Sequence, residues 1–468
     1  MGRRLPGWAL PAAGFGIPLL GVLAAIIALD PFYGIVDDGT LLGYVGQVAH
    51  EGFPGAWWDR VWSDISSWGM VRPFYWALAY LEYRAGAESP QVLYLVNWAA
   101  MGAVLAVGGV ALSRAFRVPA ARRNLFLGLY GAAIFVYPWT LDLFAFPSYQ
   151  EKWVVLAAAL GLLWFAEPRE QISAPVWYAV SVLVVGLGSL TKAQFLVFVP
   201  AFLLLLLDER RETRGTWWRL GAVAAAGLVA AIVLRLVAWH GDYTEDFGLA
   251  NVPDQLRSRY LWLLAAVAVV WTVYAVARHR RGGSTLLRDL IPIAVFVSFV
   301  AVFAQWPGGF LFSLIGFVAA GAFALVASRL RSNALAAVAL TGAVIWACVW
   351  IWVRTDELYS SLSSIGEFAR SPAARNLAAR GTPVFISCQE GSDAIAGYVR
   401  REQGLPLSVR PEQAVPWSSA AGTEPPRQFR FALVDARLCP ASIDAAAWNA
   451  IWTPSRAGGF TLYRRRAG

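Results

Sequence analysis

The sequence predicts an α-helical polytopic membrane protein with about 11 transmembrane helices and a small C-terminal extracytoplasmic α/β domain. Of its 468 residues, 58% are hydrophobic and only 15% are charged, against about 25% charged in typical soluble domains. The apolar residues also occur in successive blocks, and a helix that crosses a bilayer needs roughly 20 of them. After residue 353 the composition shifts toward Pro, Ser, Arg and Glu, which marks the start of the second domain.

Apolar blocks define the predicted spans and, with them, the first domain, residues 1–353. In chain order the blocks are 12–29, 91–112, 125–138, 152–166, 175–190, 193–207, 216–238, 260–277, 289–304, 309–327 and 334–353. Several are shorter than a straight span requires, which allows tilted, broken or re-entrant segments. The segment between the first two spans, residues 30–90, is expected to be a long loop outside the membrane.

The distribution of positive charge predicts the orientation. Loops on the side of the N-terminus hold 17 Arg and Lys residues, whereas loops on the other side hold seven. Because cytoplasmic loops carry the excess of basic residues, we expect the N-terminus inside and the C-terminal domain outside a bacterial plasma (inner) membrane. A formal net charge of +9 could suggest binding to nucleic acid, but the basic residues lie in short loops between apolar blocks, as the positive-inside rule requires. The lipid bilayer is therefore the expected partner, and no nucleic acid is.

The outward loop 30–90 combines a helical pattern with many aromatic residues. Apolar residues recur at helical spacing over 40–50, which predicts an amphipathic helix lying on the bilayer surface. Trp57, Trp58, Trp62, Trp68 and Trp76 fit an interfacial aromatic belt. The loop is therefore expected to carry surface helices.

The C-terminal domain, residues 354–468, contains short apolar runs typical of buried strands. These runs are 383–387, 429–434 and 460–463, and the stretch 393–401 has a helical pattern. Cys388 and Cys439 each follow one of these runs. If the domain is extracytoplasmic, a disulfide between them is favoured by the oxidising compartment.

Asp37 and Asp38, in the stretch Ile35-Val-Asp-Asp-Gly-Thr40, lie just beyond the outer end of the first predicted span. A carboxylate there can take the proton from an acceptor hydroxyl, and a neighbouring acid can raise its pKa or bind a cation. Alternatively, Asp38 caps the helix that begins near Gly39 or Thr40, and Asp37 is a solvated turn residue. The residue types leave both interpretations open.

An acidic pair directly after the first membrane helix, in a long outward loop with surface helices, resembles the GT-C superfamily of polytopic membrane glycosyltransferases. The pattern is similar to arabinofuranosyltransferases, protein O-mannosyltransferases and aminoarabinose transferases of lipid A. The resemblance implies a GT-C-like fold and inverting transfer of a sugar from a polyprenyl-phosphate donor to a cell-envelope glycan, lipid or protein acceptor. It implies Asp37 as the catalytic base and Asp38 as a supporting or cation-binding carboxylate, which leaves a divalent cation open as a cofactor.

Four basic residues near the outer membrane surface are candidates for binding the donor phosphate. Arg72 lies in an Arg-Pro-x-Tyr stretch similar to those of GT-C-like proteins, and a guanidinium can hold a phosphate as a fork. Lys152 and Lys192 lie at the ends of predicted spans, and a lysine is a compact phosphate-binding cation. Arg235 lies inside an apolar block, where a charge is costly and indicates function. Interfacial anchoring or snorkelling is the alternative for all four.

Four further residues, Trp68, Tyr75, Glu151 and His240, are candidates for binding the substrate. The aromatic rings can stack on sugar faces, although interfacial anchoring explains them equally well. Glu151 can pair with the adjacent Lys152 or bind a cation. His240 and the acids that follow it suggest a metal site, but their spacing is not diagnostic.

The sequence thus predicts a lipid-linked-sugar glycosyltransferase, with three alternatives. The first is a transporter or flippase of lipid-linked sugars, against which the few acids inside spans and the lack of a two-fold pattern argue. The second is an O-antigen-type polymerase or ligase, which shares the substrate class but usually carries its large outward loop later in the chain. The third is a non-catalytic cell-envelope assembly protein. No Walker A, dinucleotide-binding, HExxH or Gly-x-Ser-x-Gly motif is present, as fits an enzyme whose sugar arrives on a lipid rather than a nucleotide.

Overall fold

The computed structural model describes most of the chain as a helical bundle with a small sheet near its C-terminal end. The described residues are 8–34, 38–86, 89–167, 172–208, 214–238, 259–280, 286–303, 312–330, 333–387, 392–405, 408, 425, 428–435, 441–455 and 459–466. A helix lies at each of the eleven predicted spans. The predicted fold class is therefore confirmed.

In the first half of the chain, three helices of the outward loop lie between the first helix of the bundle and the helices from residue 90 onward. The helices of this half are α1 (Ala9–Leu29), α2 (Asp38–Glu51), α3 (Phe53–Ser63), α4 (Pro73–Gly86), α5 (Pro90–Ala115), α6 (Ala120–Val136), α7 (Pro138–Ala145), α8 (Glu151–Ala166), α9 (Ala174–Thr191) and α10 (Val199–Asp208). A π-helical turn, Asp64–Trp68, follows α3, and a 3₁₀ turn, Ala193–Phe198, precedes α10.

The second half completes the bundle and adds the sheet domain. Its elements are α11 (Arg214–Ala238), α12 (Arg259–Arg280), α13 (Leu286–Asp289), α14 (Ile291–Phe303), α15 (Phe312–Ser328), α16 (Asn333–Arg370), α17 (Pro372–Ala379), β1 (Val384–Ile386), α18 (Ser392–Gln403), β2 (Phe431–Asp435), β3 (Trp448–Trp452) and β4 (Phe460–Arg465). Among the described residues, α1, α5, α9, α11 and α16 are long and apolar enough to cross a membrane.

Helix α5 shows how local sequence sets both ends of a span. Ser89 caps its N-terminus by accepting a hydrogen bond from the Val92 amide, and Pro90 occupies the first helical position, where no amide hydrogen is needed. At the other end, Arg117 turns into the left-handed region, at φ 48°. The amides of Arg117 and Val118 bond back to the carbonyls of Arg114 and Ser113, which is the Schellman arrangement.

The bundle packs closely where small residues meet. Helix α1 crosses α6, and a Cβ placed on Gly14 would lie 1.9 Å from the carbonyl oxygen of Gly128. Backbones approach this closely only where a side chain is missing on the contact face. The two glycines therefore fix the distance between α1 and α6.

The outward loop forms helices, but its apolar face is buried within the protein. The predicted amphipathic segment 40–50 lies inside α2, as expected. However, Leu41, Val45 and Val48 are at most 7% exposed, and α2 packs against α3, α4 and α18. The expectation that this face lies on the bilayer is therefore wrong, because neighbouring helices cover it.

The C-terminal sheet has the strand order β1-β2-β4-β3. Strands β1 and β2 are parallel, with Ile386 opposite Leu433, and the other pairs are antiparallel. The three predicted strands and the predicted helix are all found. Strand β3 was not expected from the sequence, since most of its residues are exposed and show no apolar alternation.

Helix α16 joins the bundle to the sheet domain. Its 38 residues make it about 57 Å long, and it continues without a break past residue 353, the predicted domain boundary. Its last part packs on α17 and α18, while α18 also contacts α2. The C-terminal domain is thereby held against the outward loop that carries the acidic pair.

Candidate active site

Asp38 is completely buried at the start of α2. Its Oδ2 accepts a hydrogen bond of 2.5 Å from the Gly34 amide, and its Oδ1 accepts one from the Tyr83 hydroxyl. A Cβ on Gly34 would lie 2.8 Å from Oδ2, so the close approach of backbone and carboxylate depends on glycine. Asp38 is the first residue of α2, and these two bonds join its carboxylate to backbone that precedes the helix and to α4. Asp37 lies outside the described residues.

Tyrosines enclose Asp38. Tyr33 stacks on Tyr398 with ring centroids 5.7 Å apart, and the Tyr398 hydroxyl donates to the Gly34 carbonyl at 2.6 Å. Burial raises the pKa of Tyr83 and of Tyr398 well above the usual value, and the Asp38 charge adds to both shifts. Both phenols therefore stay protonated and able to donate.

Lys152 is also completely buried, and it is held by three acceptors. Its Nζ donates to Glu82 Oε1 at 2.6 Å, to Asn97 Oδ1 at 2.8 Å and to the Pro147 carbonyl at 2.7 Å. An ammonium group has three hydrogens, so these contacts use all of them. Burial raises the pKa of Glu82, and the Lys152 charge opposes that shift.

Glu82 and Tyr83 connect the two buried charges. They are consecutive residues of α4, and one binds Lys152 while the other binds Asp38. Asp38, in the outward loop, and Lys152, at the start of α8, thereby belong to one network. Neither Glu82 nor Tyr83 was predicted as a site residue. The sequence feature that could have identified them is that Glu82 is an acid in the otherwise aromatic and apolar stretch 74–83.

A second ion pair lies beside the first. Glu151, which precedes Lys152 at the start of α8, binds Lys192 rather than its neighbour. Lys192 ends α9 in an extended conformation, and its side chain is 17% exposed, whereas Glu151 is buried. Lys192 is therefore the more accessible of the two lysines.

Several buried oxygens around this ion pair have no hydrogen-bond partner among the described residues. They are Ser148 Oγ, Gln150 Oε1, Glu151 Oε2 and Gln194 Oε1. Buried polar atoms are normally satisfied, and exceptions call for a ligand, an ion or a water. Since each of these oxygens can accept, a ligand that offers hydroxyl or other donors would satisfy them.

Arg72 occupies a different part of the outward loop. Its Nε and Nη2 bond to both oxygens of Asp64, at 2.6 and 3.2 Å, and its guanidinium lies 4.3 Å from the centre of the Tyr75 ring. Trp76 donates to the same carboxylate at 2.7 Å. Asp64 was not predicted as a site residue. It binds the Arg72 guanidinium that was predicted to bind a phosphate.

The remaining predicted residues are not brought into this network by the described contacts. Arg235 is exposed near the last turn of α11, and Trp68 ends the π-helical turn. His240, Cys388 and Cys439 lie outside the described residues. Within the described ranges, no group of three or more His, Cys, Asp or Glu residues is placed to hold a metal ion, so the expected divalent cation gains no support there.

Comparison with known proteins yields structural matches alone. No protein-family model matches the sequence, and no curated protein is significantly similar to it. The crystal structure of ArnT from Cupriavidus metallidurans bound to undecaprenyl phosphate matches with a TM-score of 0.51 and 15% identity, over 98% of each chain. Its apo form matches with a TM-score of 0.48 and 13% identity, over 96% of this chain and 97% of that one. The chain therefore shares the overall fold of ArnT over nearly its whole length.

Proposed function

We propose that this protein is a membrane glycosyltransferase that moves a sugar from a polyprenyl-phosphate donor to a cell-envelope acceptor. The observation that carries the proposal is the buried network in which Glu82 and Tyr83 join Lys152 to Asp38. It combines a positioned carboxylate with cations, which are the groups that such a transfer needs. The fold supports the same conclusion, because the ArnT structure that shares it holds undecaprenyl phosphate.

In the proposed reaction, the acceptor oxygen bonds to the anomeric carbon while the bond from that carbon to the phosphate oxygen breaks. The electron pair of the broken bond remains on the lipid phosphate, and the acceptor proton passes to a carboxylate. Asp37 is the proposed base, since both oxygens of Asp38 already accept hydrogen bonds inside the protein. Asp38 is the proposed positioning residue, since its carboxylate holds the Gly34 amide and the Tyr83 hydroxyl. Attack from the face opposite the phosphate gives inversion.

Lys192 is the proposed main contact of the leaving phosphate. Negative charge grows on that group as the bond breaks, and a nearby cation stabilises it most in a site that excludes water. All three cations, Lys192, Lys152 and Arg72, have a carboxylate partner, and that of Lys192 is Glu151. Lys152 is completely buried and uses its three hydrogens within the protein, whereas the side chain of Lys192 is 17% exposed, and the Glu151 that it binds has one oxygen without a hydrogen-bond partner among the described residues.

The donor sugar is proposed to lie against the unsatisfied oxygens beside Lys192. Ser148, Gln150, Glu151 and Gln194 each present a buried acceptor, and sugar hydroxyls are donors that could meet them. A site built to bond hydroxyls rejects analogues that lack them, because its acceptors are then left unpaired. This arrangement would select the sugar by its hydroxyl pattern.

The acceptor is proposed to enter through a cleft between the bundle and the C-terminal domain. The cleft has a volume of about 210 Å³ and is lined by Asp30, Gln91, Glu367 and Arg370, among others. Phe32 also lines it and packs edge-on against Tyr33 and Tyr398, so the cleft lies next to the tyrosines around Asp38. Its polar side chains suit a hydroxylated acceptor.

The test uses purified protein in lipid with a panel of radiolabelled polyprenyl-phosphate sugars and a crude cell-envelope acceptor. Release of lipid phosphate and labelling of the acceptor are followed for wild type, Asp37→Asn and Asp38→Asn. Asp59→Asn is the matched control, because Asp59 is exposed on the same outward loop.

We expect Asp37→Asn to abolish transfer while donor binding remains, and Asp38→Asn to weaken both transfer and thermal stability. The control should transfer at the wild-type rate. Unchanged transfer in both Asp variants would refute the mechanism, and donor crossing the membrane without acceptor labelling would identify a transporter instead.

A further inference from the structure

A second cleft lies at the end of the bundle that is opposite to the network around Asp38. Helix α5 begins beside the network around Asp38, where Tyr94 and Asn97 take part, and it ends just before Arg117. Its 26 residues separate the two sites by about 39 Å. There the α5–α6 turn and the C-terminal ends of α12 and α15 line a cleft of about 290 Å³.

Arginines dominate this cleft. Arg117 and Arg122 come from the turn and the start of α6, Arg278 from α12, and Arg329 from the residue after α15. Since they come from three segments far apart in sequence, the fold, rather than a local run of charge, brings them together. The apolar side chains of Val118 and Leu325 also line the cleft.

Positive charge exceeds negative charge around the cleft. Among the described residues, ion pairs connect the cleft arginines to two carboxylates: Arg117 to Asp208 at 3.3 Å, and Arg278 and Arg329 to Asp289. Asp208 is shared with the buried Arg288, at 2.5 Å. Among the described residues, these two acids are thus shared by four arginines, Arg117, Arg278, Arg288 and Arg329, so that arginines outnumber acids in these ion pairs.

Arg117 is at a position where the backbone favours glycine. It is the left-handed residue of the Schellman turn that ends α5, at φ 48°, and only glycine adopts that conformation without strain. The helix end would be at least as stable with glycine there. The side chain of Arg117 is thus present despite the backbone preference, and it places a guanidinium that contacts Asp208 and lines the cleft.

We infer that this cleft binds the phosphate headgroup of an anionic membrane glycerolipid. Guanidinium groups hold phosphates through paired, charge-assisted hydrogen bonds, and basic clefts between transmembrane helices on the cytoplasmic side bind such headgroups. The charge bias of the loops assigns this end of the bundle to that side. The volume lies at the low end for ligand sites, which suits a headgroup, and Val118 and Leu325 would contact its glycerol end.

The test compares the full-length protein in phosphatidylcholine nanodiscs with and without added phosphatidylglycerol. Bound phosphatidylglycerol is counted by native mass spectrometry, and the melting temperature is recorded. The variants are Arg117→Gly, Arg122→Gln and the two combined. Arg84→Gln is the matched control, because Arg84 is an exposed arginine on the outward helix α4.

We expect each cleft variant to weaken phosphatidylglycerol binding about tenfold, which corresponds to the loss of one good contact, and the control to bind as wild type. Without the lipid, Arg117→Gly should melt at or above the wild-type temperature, since it relieves backbone strain. Equal lipid binding by wild type and the double variant would overturn the inference. So would inorganic phosphate that raises the melting temperature as much as the lipid does. If Arg117→Gly does not fold, Arg122→Gln alone decides the question.

Discussion

At the residue scale, the candidate active site depends on buried polar groups that hold one another in place. Asp38, Glu82, Asn97 and Lys152 are each at most 4% exposed, although charged residues are rarely buried without partners. Each one is held by hydrogen bonds from a different helix. Removing one member leaves its partner buried and unsatisfied, so the cost of a single substitution exceeds the value of the bond itself.

Tyr83→Phe tests the link between Asp38 and the rest of the network. We expect kcat/KM for transfer to fall about tenfold or more, because a hydrogen bond to a charged group contributes about 1.5–3 kcal/mol. The measurement is the rate of lipid-phosphate release by purified protein. Tyr80→Phe, on the same helix but outside the Asp38 network, is the control and should keep the wild-type rate. A Tyr83 variant as active as this control would remove Asp38 from the mechanism.

A double-mutant cycle on Lys152 and Glu82 tests the buried ion pair. Lys152→Met or Glu82→Gln alone should lower the free energy of unfolding by about 3–5 kcal/mol, because each leaves one buried charge unpaired. The double variant should recover part of that loss. Unfolding is followed in mixed detergent. The exposed pair Arg114–Glu167 is the comparison, and its disruption should cost about 0–1 kcal/mol. Additive losses in the buried pair would mean that the two groups do not interact.

At the element scale, helix contacts position the site. Helix α4 carries Glu82 and Tyr83. It packs on α5, whose first turns supply Tyr94 and Asn97, and this packing positions the two pairs of residues relative to each other. Helix α1 ends at Leu29, shortly before Gly34, whose amide bonds to Asp38. The position of α1 is fixed against α6 through Gly14. The geometry of the site therefore depends on close packing at the far end of the same helices.

Gly14→Ala tests that packing. The added methyl would meet the Gly128 carbonyl, so we expect the free energy of unfolding to fall by about 1–3 kcal/mol. Gly16→Ala is a control in the same helix, because nothing lies within 4 Å of a Cβ there. It should leave the free energy of unfolding unchanged or slightly raise it. Equal stability of the two variants would show that α1 does not approach α6 closely.

Strand pairing makes the Cys388–Cys439 disulfide a testable proposal. The strands that precede the two cysteines, β1 and β2, are parallel neighbours, and neighbouring strands lie about 4.8 Å apart. We expect alkylation of the unfolded, unreduced protein to label Cys348 alone, which is free in the structure. The mass shift of the intact chain gives the number of labels. Three labels without reductant would exclude the disulfide.

At the scale of the whole molecule, the two proposed sites occupy opposite ends of one bundle. The network around Asp38 is closed by the C-terminal domain, whose Tyr398 donates to the Gly34 carbonyl. The arginine cleft lies about 39 Å away, at the far end of α5. A transferase arranged in this way would carry out chemistry at one membrane surface and bind lipid at the other.

Labelling with a membrane-impermeant thiol reagent tests the predicted orientation. In a variant without native cysteines, Arg400→Cys on the C-terminal domain should be labelled in intact spheroplasts. Arg280→Cys at the end of α12 should be labelled only after permeabilisation. Both positions are exposed, so a difference between them reports the side of the membrane. The reverse pattern would invert the topology and place the proposed active site in the cytoplasm.

The sequence by itself determined the helices of the bundle, the helical segment 40–50 and most of the C-terminal sheet. These features are local, because a span depends on apolar length and a strand on a short apolar run, so neighbouring residues suffice to recognise them. The same locality explains why Asp64, Glu82, Tyr83 and Tyr398 were missed. Nothing in the residues beside them indicates what they contact.

Only the tertiary structure decided the pairings that make a site. Lys152 meets Glu82 across 70 positions of sequence, and Lys192 meets Glu151 across 41. Such pairs exist because particular helices lie side by side, and that arrangement comes from packing over the whole bundle rather than from any one segment. For the same reason, the arginines of the loops were visible as a charge bias in the sequence, but their convergence on one cleft was not.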